Sequence, residues 1–172
     1  MRCFFATDLH GRTERYEKLL AAIIRERPDA IFLGGDLFPR LGFLSGQSSS
    51  ADFFHSCLVP LFSRANRVLG DDYPDILLIL GNDDPRAVEE DFQSAPVEGL
   101  WHYIHGRKLS LGGFPVYGYA CVPPTPFLLK DWECYDVSRY VPPGSVSPEE
   151  GRRSVAVEDV MNMLPGQVTR RN

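Results

Sequence analysis

The sequence lacks any apolar run long enough to cross a bilayer. Its longest apolar stretches, such as Ile76–Leu80, fall far short of the roughly 20 residues that a spanning helix needs. The charged Asp8 interrupts the amino-terminal segment before the hydrophobic region or the small-residue cleavage site of a signal peptide can develop. These absences predict a soluble protein, and we expect a cytoplasmic location with no membrane partner.

Positive charge is also scarce. Lysine and arginine total 18 against 23 aspartates and glutamates, which gives a formal net charge of -5. Such a chain lacks the diffuse positive field with which non-specific binders hold nucleic-acid backbones. Long nucleic acid is therefore not an expected partner, although a local metal site would still accept a phosphate group.

The sequence has no C-x-x-C pair. Its four cysteines are widely spaced, at Cys3, Cys57, Cys121 and Cys134. Without a secretion signal, this number and spacing favour reduced thiols over a disulfide framework. We interpret the cysteines as small, partly buried hydrophobic residues.

What is present is an ordinary globular composition. The chain has 172 residues, of which 44% are hydrophobic and 24% are charged, so it fits one domain or two small ones. Proline is concentrated toward the carboxyl end. We predict an α/β core over residues 1–122 and an irregular, proline-rich extension over residues 123–172 that is partly docked and partly flexible.

Three short apolar runs have the composition of buried strands, and each ends in a polar or glycine-bearing loop. They are Cys3–Ala6, Ala30–Leu33 and Asp75–Leu80. Between them, apolar residues spaced by three and four predict helices over 16–24 and 54–65, with Pro60 kinking or splitting the second. Strands that alternate with helices predict a largely parallel sheet with right-handed crossovers.

Shorter apolar runs follow Asp84. A short helix is expected over 88–92, and the runs over 101–104, 108–111 and 116–122 are separated by glycines, which is typical of a strand meander.

Polar side chains of one chemical character follow the three strands of the core. Asp8-x-His10 comes after the first strand, Gly35-Asp36 after the second and Gly81-Asn82 after the third. In open parallel sheets, ligands bind beyond the carboxyl ends of the strands. Carboxylates, an imidazole and an amide oxygen suit divalent ions such as Mn²⁺, Fe²⁺ and Zn²⁺. The pattern therefore predicts a shared metal site.

Each piece alone has an ordinary structural explanation. Asp8 is equally compatible with a loop or cap position, His10 with a solvated loop and Asn82 with a turn. A different α/β fold whose strand-end aspartates bind Mg²⁺, receiver-like or haloacid-dehalogenase-like, is the weaker alternative. The second of these would need D-x-D at the first strand end, where this chain has Asp8-x-His10.

In order and spacing, these blocks resemble the first three motifs of the calcineurin-like metallophosphoesterase superfamily, D-x-H, G-D and G-N-H-D/E. The resemblance covers residues 2–120 and implies an αββα sandwich around two metal ions, with hydrolysis of a phosphoester by metal-activated hydroxide. It implies that Asp8 and His10 bind the first ion, Asp36 bridges both ions and Asn82 binds the second. Mn²⁺ is the expected metal, with Fe²⁺ or Zn²⁺ as alternatives.

The chain departs from the family pattern at two places. Asp83 stands where the family has the histidine that assists the leaving group, so Asp83 is the candidate catalytic residue; carboxylic acids, however, ordinarily titrate near pH 4 and are poor proton donors at neutral pH. No histidine follows His105, so the family's later histidine and its G-H-x-H block are missing. His102 and His105 lie three residues apart in a predicted strand, and we interpret them as non-ligands.

These features predict a metal-dependent phosphoesterase, truncated or weakly active, with an incomplete sandwich. The alternative is a non-catalytic binding or scaffold module of the same fold. The expected substrate is a small phosphoester or a nucleotide, and Arg86 is the candidate for binding its phosphate. Unpaired strand edges of an incomplete sandwich would favour a homo-oligomer.

Overall fold

A parallel sheet forms the centre of the fold, which the computed structural model describes over residues 1–39, 50–94 and 99–155. The four strands of this sheet are β1 (Cys3–Ala6), β2 (Ala30–Leu33), β3 (Asp75–Leu78) and β4 (His102–Tyr103). They lie in the order β1-β2-β3-β4, and every neighbouring pair is parallel. The predicted α/β class with a parallel core is confirmed.

The register of the first three strands brings their carboxyl ends together. Cys3 pairs with Ala30, which pairs with Asp75, so β1, β2 and β3 begin at the same level. Each of these strands has four residues, and their carboxyl ends therefore meet at one edge of the sheet. The three polar loops of the sequence all begin at that edge.

Helices cover one face of the sheet. They are α1 (Thr13–Glu26), α2 (Ser50–Phe53) and α3 (Val59–Leu69). Tyr16 of α1 is fully buried, its ring meets Phe62 of α3 edge-on, and its hydroxyl donates to the backbone oxygen of Leu37. The helix layer is thus tied to the loop that follows β2.

Pro60 divides the second predicted helix as expected. A π-helical segment, Phe54–Leu58, lies between α2 and α3, and Pro60 stands in the first turn of α3. Proline has no N–H to donate and crowds the preceding turn, so it is tolerated where a helix begins. The change of helix type immediately before Pro60 allows this.

A two-stranded hairpin covers part of the opposite face. Its strands are β5 (Lys108–Leu111) and β6 (Phe114–Tyr117), which pair antiparallel. Leu111 packs in a small cluster with Ala30 and Leu77 of the parallel sheet and with Ile104, which follows β4. The hairpin supplies the beginning of a second layer.

The predicted three-strand meander is wrong in two respects. The run over 101–104 contributes β4 to the parallel sheet, because Tyr103 and Ile104 are buried beside β3. The run over 116–122 forms a regular strand only to Tyr117, beyond which Gly118 and Val122 make isolated bridges. The helix expected over 88–92 is replaced by two 3₁₀ turns, Arg86–Val88 and Asp91–Gln93.

Residues 119–155 pack against the core through a buried centre. Trp132 is fully buried, and Lys130 and Glu133, which precede and follow it in the sequence, form a buried ion pair. Glu133 also accepts hydrogen bonds from Thr125, so its charge is compensated.

Residues 156–172 of the predicted extension lie outside the described residues. In the described ranges, no helix has the length and apolar character that a membrane crossing requires.

Candidate metal centre

The site is built at the carboxyl edge of the parallel sheet. Asp8 and His10 follow β1, Asp36 follows β2, and Asn82 and Asp83 follow β3. Backbone hydrogen bonds continue the contact between the first two loops beyond the strands: Asp8 N donates to Gly35 O over 3.1 Å, and His10 N donates to Asp36 O over 2.8 Å. The strand order therefore places the predicted ligands on adjacent loops.

The backbone of the site adopts a conformation that side chains other than glycine rarely take. Asp8, His10 and Asp36 have φ angles of 58°, 49° and 54°, in the left-handed region. Such angles cost free energy and persist only where the surrounding structure imposes them, commonly at functional sites. Arg27, at the carboxyl end of α1, is the remaining non-glycine residue with positive φ in the described ranges.

Two glycines allow the second and third loops to touch. Gly35 has a φ of 95°, and a methyl group added to it would overlap with the backbone of Gly81. A methyl group added to Gly81 would overlap with the carboxylate of Asp36. Close approach of these loops therefore requires glycine at both positions.

Three ligand atoms converge at this edge. One atom each of Asp8, His10 and Asp36 lie within 4.8 Å of one another, and this is the only such group of three found in the described ranges. His10 Nε2 is 3.6 Å from Asp8 Oδ1. Two carboxylates and an imidazole are a suitable donor set for one borderline divalent cation. The three residues thus fit the metal that the sequence motif implies.

The electrostatics of Asp36 also suit a cation. Burial raises the pKa of Asp36, and the nearby carboxylates of Asp83 and Asp8 raise it further, while a backbone hydrogen bond from Asp83 opposes the shift. That bond is 3.0 Å long and ends on Asp36 Oδ1. A partly buried carboxylate surrounded by other carboxylates gains stability when a cation neutralises the group.

Asn82 and Asp83 complete the edge from the third loop. The amide Nδ2 of Asn82 lies 3.4 Å from Asp83 Oδ1, which leaves the oxygen of the amide for another partner. Asp83 Oδ2 lies 3.9 Å from His10 Nδ1. The structure therefore places Asn82 and Asp83 beside the three-residue group.

Asp84 holds the second and third loops together, a role that sequence reasoning missed. Its carboxylate is fully buried and accepts hydrogen bonds from the backbone N–H groups of Leu37, Phe38 and Gly81, each at 2.8 Å. Burial raises the pKa of Asp84 to about 7, although these three hydrogen bonds oppose the shift. Because its partners are backbone groups, the side chains of the sequence give no signal for this contact.

Arg86 follows the third loop in sequence, and its side chain already has partners. Its Nε is 3.2 Å from Glu89 Oε2, and its guanidinium carbon is 5.0 Å from the centre of the Trp132 ring. Its side chain is 53% exposed, so the guanidinium group is also accessible to solvent. Binding of a substrate phosphate by Arg86 stays a prediction.

The other histidines have different surroundings. The Nδ1 of His105 accepts a hydrogen bond from the backbone N–H of Ala120 over 3.0 Å, and burial lowers the pKa of this imidazole. His102 Nε2 is 3.8 Å from Asp75 Oδ1 on the surface. His55 is exposed on the π-helical segment. None of the three belongs to the group of converging ligands in the described ranges.

A second group of residues, outside the sequence motifs, forms hydrogen bonds with the segment that follows the third loop. Trp132 Nε1 donates to the backbone oxygen of Asp84, and Asp131 accepts from the backbone N–H of Arg86 over 2.8 Å. Ser154 Oγ accepts from the backbone N–H of Ala87 over 2.9 Å. Residues far along the chain thus fix the segment that carries Asn82 and Asp83.

Together, the parallel sheet and the converging ligands define a metal-binding α/β domain with its site beyond the strand ends. A family model described as calcineurin-like phosphoesterase matches residues 1–155. The chain belongs to this calcineurin-like phosphoesterase family. The match extends beyond the residues that carry the sequence motifs and includes the segment around Trp132. A search of curated proteins found no significant match.

Proposed function

We propose that this chain is a metal-dependent phosphoesterase that hydrolyses a phosphomonoester or phosphodiester. The observation that carries the proposal is the convergence of Asp8, His10 and Asp36, whose ligand atoms lie within 4.8 Å of one another. Membership of a metal-dependent family of hydrolases supports the same reaction.

The proposed ligands form two cation-binding positions. Asp8, His10 and Asp36 would hold one cation, and Asp36 together with Asn82 would hold a second. Bound divalent cations supply the activation of water and the neutralisation of phosphoryl charge in this class of reaction. The mixture of oxygen and nitrogen donors favours Mn²⁺, with Fe²⁺ or Zn²⁺ as alternatives.

The substrate class follows from charge and access. Asp8 is 58% exposed at its side chain, so the site is open to a small molecule. The net charge of -5 disfavours long nucleic acid and leaves small phosphoesters or nucleotides as the proposed substrates. Arg86 is the proposed phosphate-binding residue.

Four free cysteines are compatible with a reducing compartment, and we propose a cytoplasmic location.

The test is hydrolysis of p-nitrophenyl phosphate and bis-p-nitrophenyl phosphate with Mn²⁺. We expect slow turnover, because only three protein ligands are proposed for the first ion and two for the second. Asp36→Asn should abolish it, as should a chelator, whereas Asp71→Asn on the distant surface should not. Activity that survives both the Asp36 substitution and chelation would contradict the proposed mechanism.

A second candidate function is a non-catalytic binding or scaffold module. One observation favours it: Asp83 stands where the family has a histidine. Isothermal titration with Mn²⁺ and Zn²⁺ separates the candidates. Two-site binding that is abolished by Asp8→Ala would count against a pure scaffold.

A further inference from the structure

The two nitrogens of the His10 imidazole face different carboxylates. Nε2 lies 3.6 Å from Asp8 Oδ1, and one of the two nitrogens belongs to the group in which Asp8 and Asp36 converge. Nδ1 lies 3.9 Å from Asp83 Oδ2. A histidine that binds a metal through one nitrogen commonly donates the N–H of the other to a carboxylate, which fixes the tautomer and the orientation of the ring.

His10 Nδ1 requires a partner in this environment. The atom is buried and has no hydrogen-bond partner among the described residues. A buried polar atom without a partner destabilises the folded state, so such atoms are uncommon in native proteins. The 3.9 Å separation from Asp83 is longer than an N–H···O hydrogen bond, so the bond proposed below requires the two side chains to approach each other.

Asp83 is well placed to be that partner. Its backbone N–H donates to Asp36 Oδ1, and its Oδ1 lies 3.4 Å from the amide of Asn82. Its other carboxylate oxygen, Oδ2, lies 3.9 Å from His10 Nδ1. Only 19% of the Asp83 side chain is exposed, so the carboxylate is directed into the site rather than into solvent.

We propose that Asp83 is a positioning residue, which accepts a hydrogen bond from His10 Nδ1–H and thereby presents the Nε2 lone pair to the cation held with Asp8 and Asp36. This inference rests on the proposed function for the identity of the cation site. It gives the carboxylate at position 83 a role other than proton donation to the leaving group. Asp83, which replaces the family's histidine, would then orient His10 for binding at the first metal position.

The first test reads the tautomer directly, in the metal-free protein. Two-bond ¹H–¹⁵N correlation spectra at about pH 8, where an ordinary histidine is neutral, distinguish Nδ1–H from Nε2–H. The chain has 4 histidines, so His10→Gln assigns the His10 signals by their disappearance. We expect His10 to carry its proton on Nδ1, and Asp83→Ala to shift the population toward Nε2–H. A wild-type His10 protonated on Nε2 would overturn the proposal.

The second test measures Mn²⁺ affinity by isothermal titration. Loss of a carboxylate that orients a histidine ligand typically weakens metal binding about 10- to 100-fold, which we expect for Asp83→Ala. Asp83→Asn retains an acceptor oxygen and should bind more tightly than Asp83→Ala. Asp75→Ala is the matched control, because Asp75 lies 3.8 Å from an imidazole nitrogen of His102 on the surface. It should leave the affinity unchanged.

A double-mutant comparison separates positioning from direct ligation. In the His10→Gln background, Asp83→Ala should have little further effect, because its influence passes through His10. An equal loss of affinity in both backgrounds would overturn the proposal and make Asp83 a ligand itself. If wild-type protein binds no Mn²⁺, the proposed function fails. An Nε2–H tautomer in a protein that binds Mn²⁺ overturns the Asp83 proposal alone.

Discussion

The indole Nε1 of Trp132 donates a 2.9 Å hydrogen bond to the backbone oxygen of Asp84. Both residues are fully buried, and 48 positions of sequence separate them. Asp84 in turn accepts from backbone N–H groups of the loop that follows β2. A contact outside the metal centre is therefore connected, through one residue, to the loop that carries Asp36.

Replacement of Trp132 tests this connection. Trp132→Phe keeps an aromatic ring but leaves the backbone oxygen of Asp84 buried without its donor, which should lower the free energy of unfolding by about 1–3 kcal/mol. Urea denaturation followed by circular dichroism measures the change. Tyr119→Phe alters an exposed aromatic residue near the same segment and should be close to neutral. A neutral Trp132→Phe would contradict the assigned role.

Asp84→Asn should separate the two loops that its carboxylate joins. The amide replaces one acceptor oxygen by a donor, so at least one of the three backbone N–H groups loses its partner. We expect a loss of about 1–3 kcal/mol in the free energy of unfolding, together with weaker Mn²⁺ binding. Asp71→Asn, at an exposed position, is the control in both measurements. Unchanged stability and unchanged affinity would show that the carboxylate does not hold the loops.

Gly81→Ala should damage the metal centre without removing a ligand. The added methyl group would overlap with the carboxylate of Asp36, so the loops after β2 and β3 would have to move apart. Mn²⁺ affinity should fall, as measured by titration calorimetry. Gly113→Ala introduces strain at a φ of 85° in the β5–β6 turn, where the methyl group meets nothing, and should leave the affinity as it is. Equal effects of the two substitutions would exclude a local steric cause.

The stability of the protein should depend on pH through His105. Burial lowers the pKa of this imidazole in the folded protein, so below its ordinary value near 6.5 the unfolded chain binds the proton more readily. The contribution of the neutral His105 ring to the free energy of unfolding is complete above that pH and is lost as the pH falls through the lowered pKa. The difference in free energy of unfolding between wild type and His105→Gln should therefore shrink from about pH 8 to about pH 5. A constant difference would contradict the burial of the neutral ring.

The free edge of β1 should support a homodimer. In the described ranges β1 pairs with β2 alone, and Phe5 on this strand is 71% exposed. Exposed strand edges pair readily, and a lysine on such an edge prevents pairing. Sedimentation velocity should show a dimer at high protein concentration that Phe5→Lys removes. Phe114→Lys, at a site that is 65% exposed on β6, should not remove it. A monomer at every concentration would exclude the dimer.

The sequence was sufficient to predict the parallel sheet and the convergence of three candidate ligands. Both follow from short-range patterns: apolar runs of strand length, helical spacing between them, and polar residues at each strand end. Asp8, His10 and Asp36 lie together because parallel strands in register end at the same edge.

The rest of the site depends on contacts that no local pattern encodes. The partners of Asp84 are backbone N–H groups, which every residue except proline possesses. Trp132 reaches it from the proline-rich extension, for which the sequence predicts partial docking but not the partner. The sequence also could not predict that the run over 101–104 joins the parallel sheet. A parallel strand and a hairpin strand have the same apolar composition when both are short.

The order of the strands in the parallel sheet has a consequence for synthesis on the ribosome. Because neighbours in space are also neighbours in sequence, β1, β2 and β3 can associate in the order in which they emerge, with all the proposed ligands already present. The third loop then lacks its outer support until Asp131, Trp132 and Ser154 have been made. A nascent chain would therefore contain all the proposed metal ligands before the hydrogen bonds that fix the third loop can form.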